Sequence, residues 1–358
     1  MTATLRILIV GPLPPPAGGM ANQTRQLRRL LEAEGLMVPI VRTNEPCQPT
    51  WIERLRGLRA LVRLLPYLRR LWVATGQADV VHVMANSGLA WFLLAAPAVR
   101  IAKWRHVPIV VNYRGGLARE FLSRFSRRVK ATLQGTQLIV PSRFLLEVFA
   151  SHGLAAAIIP NIVDVDLFRP APDPKPECGR PHVVIARNLE KIYGIDVGQR
   201  ALAMLRSEFP QLRASIAGSG PELGALEALT RHLQLDDCVR FTGRRELEEM
   251  VALYQDADVV LNPVRADNTP NSVLEALACG VPVVSTNVGG VSYLVEHGQT
   301  AWLVEPDSPQ AIASGVAQVL GDGALRGQLV ANGLELARSC AWTAVKARWL
   351  AAYARAQE

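Results

Sequence analysis

Two series of short, almost purely apolar segments limit what this chain can fold into. The first is "LRILIVG" (5–11), "DVVHVM" (79–84), "PIVVNY" (108–113) and "QLIVPS" (137–142). The second is "HVVIAR" (182–187), "RASIAG" (213–218), "VRFTG" (239–243), "DVVLNP" (258–263) and "VPVVST" (281–286). Helical patterns separate them, near 194–208, 221–233, 246–255 and 270–278 in the second series. Strands apolar on both sides need both sheet faces covered, which a parallel sheet between helices provides. Between the two series lies "RPAPDPKPECGRP" (169–181), with five prolines and no periodicity, which reads as a linker. The expected fold is therefore α/β, with two Rossmann-like domains over 1–169 and 170–342. A terminal helix at about 343–358 is expected to pack back on the first domain. Ligands of such sheets sit beyond the carboxyl ends of the strands. With two sheets facing each other, the site is expected in the cleft between them.

Composition narrows the class. Apolar residues make up 49% of the 358, so the chain is globular rather than disordered. No apolar run is long enough to span a bilayer, and "GLAWFLLAAPAV" (88–99) contains Pro97 and reads as a buried helix. The first residues lack a signal-peptide layout. The five scattered cysteines, with no Cys-x-x-Cys, fit free thiols in a reducing cytoplasm.

Charge is uneven. Residues 1–170 hold 22 Lys+Arg against 9 Asp+Glu, a net +13, and the remaining 17 against 22 give −5, which together make the overall +8. The first half should face something anionic. Nucleic acid and anionic lipid both satisfy that requirement. No nucleic-acid motif or aromatic interleaving occurs, so nucleic acid is not the expected partner. The stretch "WIERLRGLRALVRLLPYLRRLW" (51–72) puts Trp51, Leu55, Leu58, Val62 and Leu65 on one helical stripe, beside Arg56, Arg59 and Arg63. Pro66 should kink or restart that helix. Two readings stay open for it: a core stripe with solvated arginines, or a face lying on an anionic membrane.

The chemistry concentrates in "RADNTPNSVLEALACGVPVVST" (265–286). A helix is expected from about Pro270, with Thr269 as its N-cap. The amides of Asn271 and Ser272 would then point out of a positive helix end, suited to a phosphate. Glu275, one turn on, could accept two hydrogen bonds from a ribose diol. Asp267, ahead of the helix, could reach hydroxyls beyond the phosphates. Phosphate in the middle, ribose on one side and sugar on the other describe a nucleoside-diphosphate sugar. The alternative is a loop acid and a solvated helix residue that happen to stand eight apart.

This stretch resembles the family 4 glycosyltransferases, enzymes of the GT-B fold whose signature is an acid, seven residues, then Glu. Asp267 stands where the family usually has its first Glu, one methylene shorter. The resemblance implies that Asp267 contacts the donor sugar and Glu275 the ribose, with Asn271, Ser272, Val273 and Gly218 also on the donor side. "GPLPPPAGGMANQTRQL" is similar to the family's N-terminal glycine loop, where Gly18 and Gly19 let backbone approach the donor phosphate and the acceptor. "IIPNIVDVDLFRP" looks like its interdomain segment. "SIAGSGPEL" and "VRFTGRRELEEMVALYQDADVVLNP" look like its nucleotide-side layout. "ARNLEKIYGID" (186–196) resembles its Arg…Lys phosphate clamp, with Arg187 in the arginine place. The lysine usually follows five residues later. Here Lys191 follows after four and Tyr193 precedes the glycine, so Lys191 is either the second cation or a solvated loop lysine. Members often carry a His after the third strand. In "VVNYRGGLAREF" Arg114 stands there, and as arginine is no base at neutral pH it would bind phosphate or acceptor. His82 either lines the cleft or is structural.

"DVD" (164–166) and "DAD" (256–258) imitate a metal-binding Asp-x-Asp but lie in the hinge and at a strand start. "GSGPELG" (218–224) has its third glycine one place late for a dinucleotide fingerprint. No metal and no cofactor are expected, the nucleotide sugar being a substrate. The expectation is sugar transfer with retention to a lipid-linked or growing glycan acceptor, by a cytoplasmic protein peripheral on the inner face of the membrane. An epimerase or phosphorylase on the same architecture is the enzyme alternative, and a basic nucleic-acid-binding protein the alternative of another class.

Overall fold

The computed structural model describes residues 5–15, 18–45, 58–173 and 179–357, with side chains of the helix Leu58–Thr75 described from 64 onward. The chain forms two compact units, Met1–Ile162 with Val345–Glu358, and Val163–Ala344. The division falls ahead of the proline-rich run. The reason is packing: Val163 N donates to the Cys340 carbonyl at 3.1 Å, and Val163 and Phe168 are buried with Tyr254 and Leu277.

In the first unit the strands are β1 (Ile7–Gly11), β2 (Ile40–Arg42), β3 (Val80–Ala85), β4 (Ile109–Tyr113), β5 (Gln137–Val140) and β6 (Ala157–Ile158). They form one sheet in the order β2-β1-β3-β4-β5-β6, with every pairing parallel. In the second unit β7 (His182–Ala186), β8 (Arg213–Ala217), β9 (Val239–Gly243), β10 (Val259–Asn262), β11 (Val283–Thr286) and β12 (Trp302–Val304) run in the order β12-β11-β10-β7-β8-β9, again all parallel. β1, β3, β4, β10 and β11 are buried at every residue, as strands between two helical layers must be. In each sheet the winding direction reverses once, between β1 and β3 and between β7 and β10. At such a reversal the following loops part and leave a crevice at the carboxyl ends of the strands.

The terminal helix Trp342–Gln357 belongs from Val345 to the first unit. Trp349 and Tyr353 are fully buried there, and His82 of β3 is locked onto them. Its Nδ1 lies 2.9 Å from the Tyr353 hydroxyl and its ring 5.1 Å from that of Trp349. Burial, with the Arg114 charge nearby, lowers its pKa to about 3. His82 is therefore a neutral core side chain and lines no surface.

The helix Leu58–Thr75 runs through Pro66 as one element instead of restarting there. Tyr67 and Leu71 face the core, whereas Leu65, Arg69, Trp72 and Val73 share the opposite, exposed face. Leu65 is 74% exposed and the neighbouring Trp104 75%, so this end of the apolar stripe is outside the core. The Trp72 and Trp104 rings meet at 5.2 Å, with the Arg105 guanidinium 4.6 Å over Trp72. Trp51, Leu55 and Arg56 lie outside the described residues, and the side chains of Leu58, Arg59, Val62 and Arg63 are not described either.

Candidate active site

Arg187 directly follows β7 and Asn262 ends β10, so the two flank the reversal of the second sheet. Their side chains join across it. Arg187 Nε and Nη2 donate to Asn262 Oδ1 at 2.8 and 2.6 Å, and Nη2 also donates to Asp267 Oδ2 at 2.6 Å. Asn262 is itself oriented, its Nδ2 donating to Ser285 Oγ at 2.8 Å. The Arg187 and Asp267 side chains are only 11% and 17% exposed, so the pair is shielded from bulk water and its hydrogen bonds count for more than on a surface. The third nitrogen, Arg187 Nη1, has no hydrogen-bond partner among the described residues.

Asp267 is fixed at both oxygens. Oδ1 accepts from the Asn268 amide at 2.6 Å, and Oδ2 from Arg187. Its carbonyl accepts from Gly290 N at 2.9 Å. Gly289 and Gly290 are small because the 267–268 backbone presses on them: a Cβ on Gly290 would lie 1.8 Å from the Asn268 carbonyl oxygen. Gly218 serves Arg187 in the same way. Its φ is +150°, and a Cβ there would lie 1.9 Å from the Arg187 carbonyl oxygen.

The helix of the acidic motif spans Asn271–Ala278, starting one residue later than the sequence predicts. Pro270 occupies the N-cap position and has no side-chain acceptor, so Thr269 is not the cap residue. Val273 is fully buried and its amide donates to the Pro270 carbonyl at 3.2 Å, so of the group expected here its backbone N–H is already taken up at the helix start. One turn on, Glu275 Oε2 accepts from the Tyr254 hydroxyl at 3.2 Å. Burial raises the Glu275 pKa to about 7, against the opposing effects of the Tyr254 hydrogen bond and the Arg187 charge. Oε1 accepts from no described residue.

Lys191 is exposed, in a short 3-10 turn, Lys191–Tyr193. Arg265 holds this turn by its backbone: Nη1 donates to the Lys191 carbonyl at 2.6 Å and the Arg265 amide to the Ile192 carbonyl at 2.8 Å. Asp196 and Asp307 fix the Arg265 guanidinium at 2.8 and 2.6 Å. The ring of Tyr193, not the Lys191 side chain, lies against Arg187, 5.2 Å from the guanidinium carbon.

In the first unit the loops after β1 and β4 lead to the other expected groups. Gly18, extended at φ −174°, precedes the helix Gly19–Ala33, and space around its Cβ position is open. Arg114, immediately after β4, is half-buried; Nη1 donates to Asn161 Oδ1 at 2.6 Å, and no described carboxylate pairs with it. Its Nε is buried without a partner, and burial lowers its pKa to about 10. The Asp-x-Asp look-alikes are structural. Asp256 binds Arg213 at 2.8 Å, Asp258 accepts from His182 N at 2.7 Å, and Asp164 accepts from Leu167 N at 3.2 Å. Asn262, Tyr254 and Arg265 are absent from the sequence-level expectations. Only Asn262 had a readable signal, as a polar residue ending a buried apolar strand.

The chain matches two family models, Glycosyltransferase Family 4 over residues 17–167 and Glycosyl transferases group 1 over 180–322. A D-inositol 3-phosphate glycosyltransferase of Corynebacterium urealyticum is 30% identical over 86% of this chain and 83% of its own. A GDP-mannose-dependent alpha-(1-6)-phosphatidylinositol monomannoside mannosyltransferase of Mycolicibacterium smegmatis is 35% identical over 51% of this chain and 52% of its own. The chain thus spans only about half the length of some of the curated relatives it matches. By structure it is similar to a glycosyltransferase of Rickettsia africae, with TM-score 0.77 at 16% identity over 99% of both chains. With two all-parallel sheets, and with both family models together covering most of its length, the chain belongs to the family 4 (group 1) glycosyltransferases of the GT-B fold.

Proposed function

We propose that the protein transfers a sugar from a nucleoside-diphosphate donor, held by the second unit, to a hydroxyl of a lipid-linked or glycan acceptor, with retention. The observation that carries this reading is the Arg187 guanidinium, fixed at the sheet reversal by Asn262 and Asp267 with Nη1 left open. A shielded cation held in this way presents one fixed donor to an anion. The positive end of the helix that starts at Asn271 suits the same diphosphate. Glu275 Oε1 supplies the acceptor for the ribose hydroxyls.

The reaction breaks the bond from the sugar's anomeric carbon to the diphosphate oxygen and forms one to the acceptor oxygen. Negative charge grows on the departing diphosphate, where Arg187 stabilises it more in the transition state than in the ground state. Asp267, occupied at both oxygens, acts as a fixed negative charge near the electron-poor sugar and not as a free nucleophile. Retention brings the acceptor hydroxyl in on the face the diphosphate leaves. The departing oxygen is then the nearest base for the hydroxyl proton, and no protein base is required.

On the acceptor side, Arg114 lacks a carboxylate partner and suits an anionic group of the acceptor. Relatives named for D-inositol 3-phosphate and phosphatidylinositol monomannoside support an acceptor of glycolipid kind. The exposed Leu65, Trp72, Val73 and Trp104, set among Arg69, Arg100 and Arg105, support contact with an anionic membrane surface.

The test is a thermal-shift series with UDP-, GDP-, ADP- and dTDP-sugars, followed by release of nucleoside diphosphate with and without extracted lipid acceptors. One nucleotide series should raise Tm, since a ligand at 100 times its Kd stabilises by about 2.7 kcal/mol. Release should then require an acceptor. A protein indifferent to all four donors, or one that turns the donor over alone, would overturn the reading.

A further inference from the structure

The clamp around Arg187 has a second member that is not a cation. Lys191 is exposed, and its turn is tied down through the backbone by Arg265, which is itself gripped by Asp196 and Asp307. Gly194 closes the turn at φ +60°, so near the strand beside it that a Cβ would lie 2.0 Å from the Pro263 carbonyl oxygen. These contacts fix the backbone on both sides of Tyr193. Tyr193 is half-buried, packs against the Leu189 and Ile195 core, and sets its ring 5.2 Å from the Arg187 guanidinium carbon.

Arg187 is consequently held on three sides, by Asn262, by Asp267 and by the Tyr193 ring. The first two fix the edge of the guanidinium and the ring limits its tilt. Nη1 is the corner left for a ligand. A cation over an aromatic face is also attracted to it electrostatically, and more strongly where water is excluded.

We propose that Tyr193 is the positioning residue that holds Arg187 for the donor diphosphate, and that Lys191 is a solvated lysine with no part in the clamp. This rests on the assignment of Arg187 as the diphosphate cation. The consequence for catalysis is specific: one buried charge, aimed by an aromatic plane, does the work that two cations would otherwise share.

Steady-state kinetics of Tyr193→Phe, Tyr193→Leu, Lys191→Ala and Arg187→Ala test it, with kcat and donor KM measured separately. Tyr193→Phe should keep kcat within about twofold, because the aromatic face is retained. Tyr193→Leu keeps apolar bulk at the core edge but loses the face, and should lower kcat by about tenfold or more while changing donor KM less. Circular dichroism and Tm establish that each variant is folded; should Tyr193→Leu not fold, Tyr193→Met takes its place in the same comparison. Lys191→Ala should stay within about twofold of the parent. Full kcat in Tyr193→Leu, an equal loss in Tyr193→Phe, or a loss in Lys191→Ala matching that of Arg187→Ala would each overturn the inference. Undiminished turnover in Arg187→Ala would instead remove the assignment beneath it.

Discussion

Arg187 Nη2 and Asp267 Oδ2 stand 2.6 Å apart, an ion pair 80 residues apart in sequence that bridges the loops after β7 and β10. The pair sets opposite charges side by side where a sugar diphosphate would develop opposite charges of its own. Asp267→Asn removes the negative member and leaves the Asn262 and Tyr193 contacts in place. Donor affinity should hold or tighten, since the cation then lacks a competing anion. Turnover should fall by about 10- to 100-fold, as befits an interaction made in the transition state. Calorimetry with the donor and kcat at saturation separate the two effects; weaker binding with unchanged kcat would contradict this role.

Glu275 gives the site a pH dependence. Its pKa is raised from the usual carboxylate value to about 7 by burial, and a protonated carboxyl accepts hydrogen bonds less well than a carboxylate. Donor affinity should therefore rise as pH increases through about 7 and level off above it. Tyr254→Phe removes a hydrogen bond that favours the ionised form, so the midpoint should move to higher pH. Donor Kd measured from pH 5.5 to 8.5 by fluorescence competition checks both, and a flat profile in the parent protein would contradict the ribose role.

His82 gives a second pH dependence, in stability. Its folded pKa is about 3, below the ordinary 6.5 of the unfolded chain, so the unfolded state binds the extra proton between these values. The contribution is full above about 6.5 and is lost as pH falls toward 3, at up to about 1.4 kcal/mol per pH unit. Urea denaturation at several pH values should show that slope in the parent and a shallower one in His82→Gln, with donor binding at pH 7.5 unchanged by the substitution.

Gly218→Ala should impair both folding and the site. The added Cβ meets the Arg187 carbonyl oxygen in a backbone conformation that side chains rarely adopt. A stability loss of about 1–3 kcal/mol is expected, with a fall in kcat because Arg187 shifts. Gly224→Ala, where a Cβ meets nothing within 4 Å, should be close to neutral and serves as the control.

Most strands and both sheets were legible because a strand covered on both faces is mainly apolar, as β1, β3, β4, β7, β10 and β11 are apart from His82, Asn112, His182, Asn262, Ser285 and Thr286. β2, β6 and β12 have only two or three residues each, too few to show a pattern. The order of the strands was not legible either, because local pattern does not record which strands pair. In the site, Asp267 and Glu275 stood out as acids beside a helix start, and Arg187 through its place after a strand. Their partners did not. Tyr254 reads as one apolar position of a helix, Arg265 as one loop arginine among many, and the stack of Tyr193 on Arg187 depends on a turn whose shape is set from residues 196, 265 and 307. Thr269 looked like the better cap by chemistry, yet the helix begins at Asn271 with Pro270 as its cap residue.

The exposed apolar and basic face of the first unit should bind anionic membranes. Sedimentation with phosphatidylserine-containing vesicles at low salt should bring the protein down, and neutral vesicles should not. Trp72→Ser combined with Trp104→Ser should release it with little loss of stability, because Trp72 is 40% and Trp104 75% exposed. Equal recovery of parent and double variant with the anionic vesicles would contradict the membrane reading and leave the donor site untouched.

The central claim is that the second unit holds a nucleoside diphosphate between Arg187, the helix start at Asn271 and Glu275. Isothermal titration of the parent, Arg187→Ala and Glu275→Gln with UDP, GDP, ADP and dTDP tests it most directly. At least one nucleotide should bind the parent, and each substitution should weaken that nucleotide by about 1.5–3 kcal/mol with the fold intact. Binding of none of the four, or a Kd that neither substitution changes, would contradict the account.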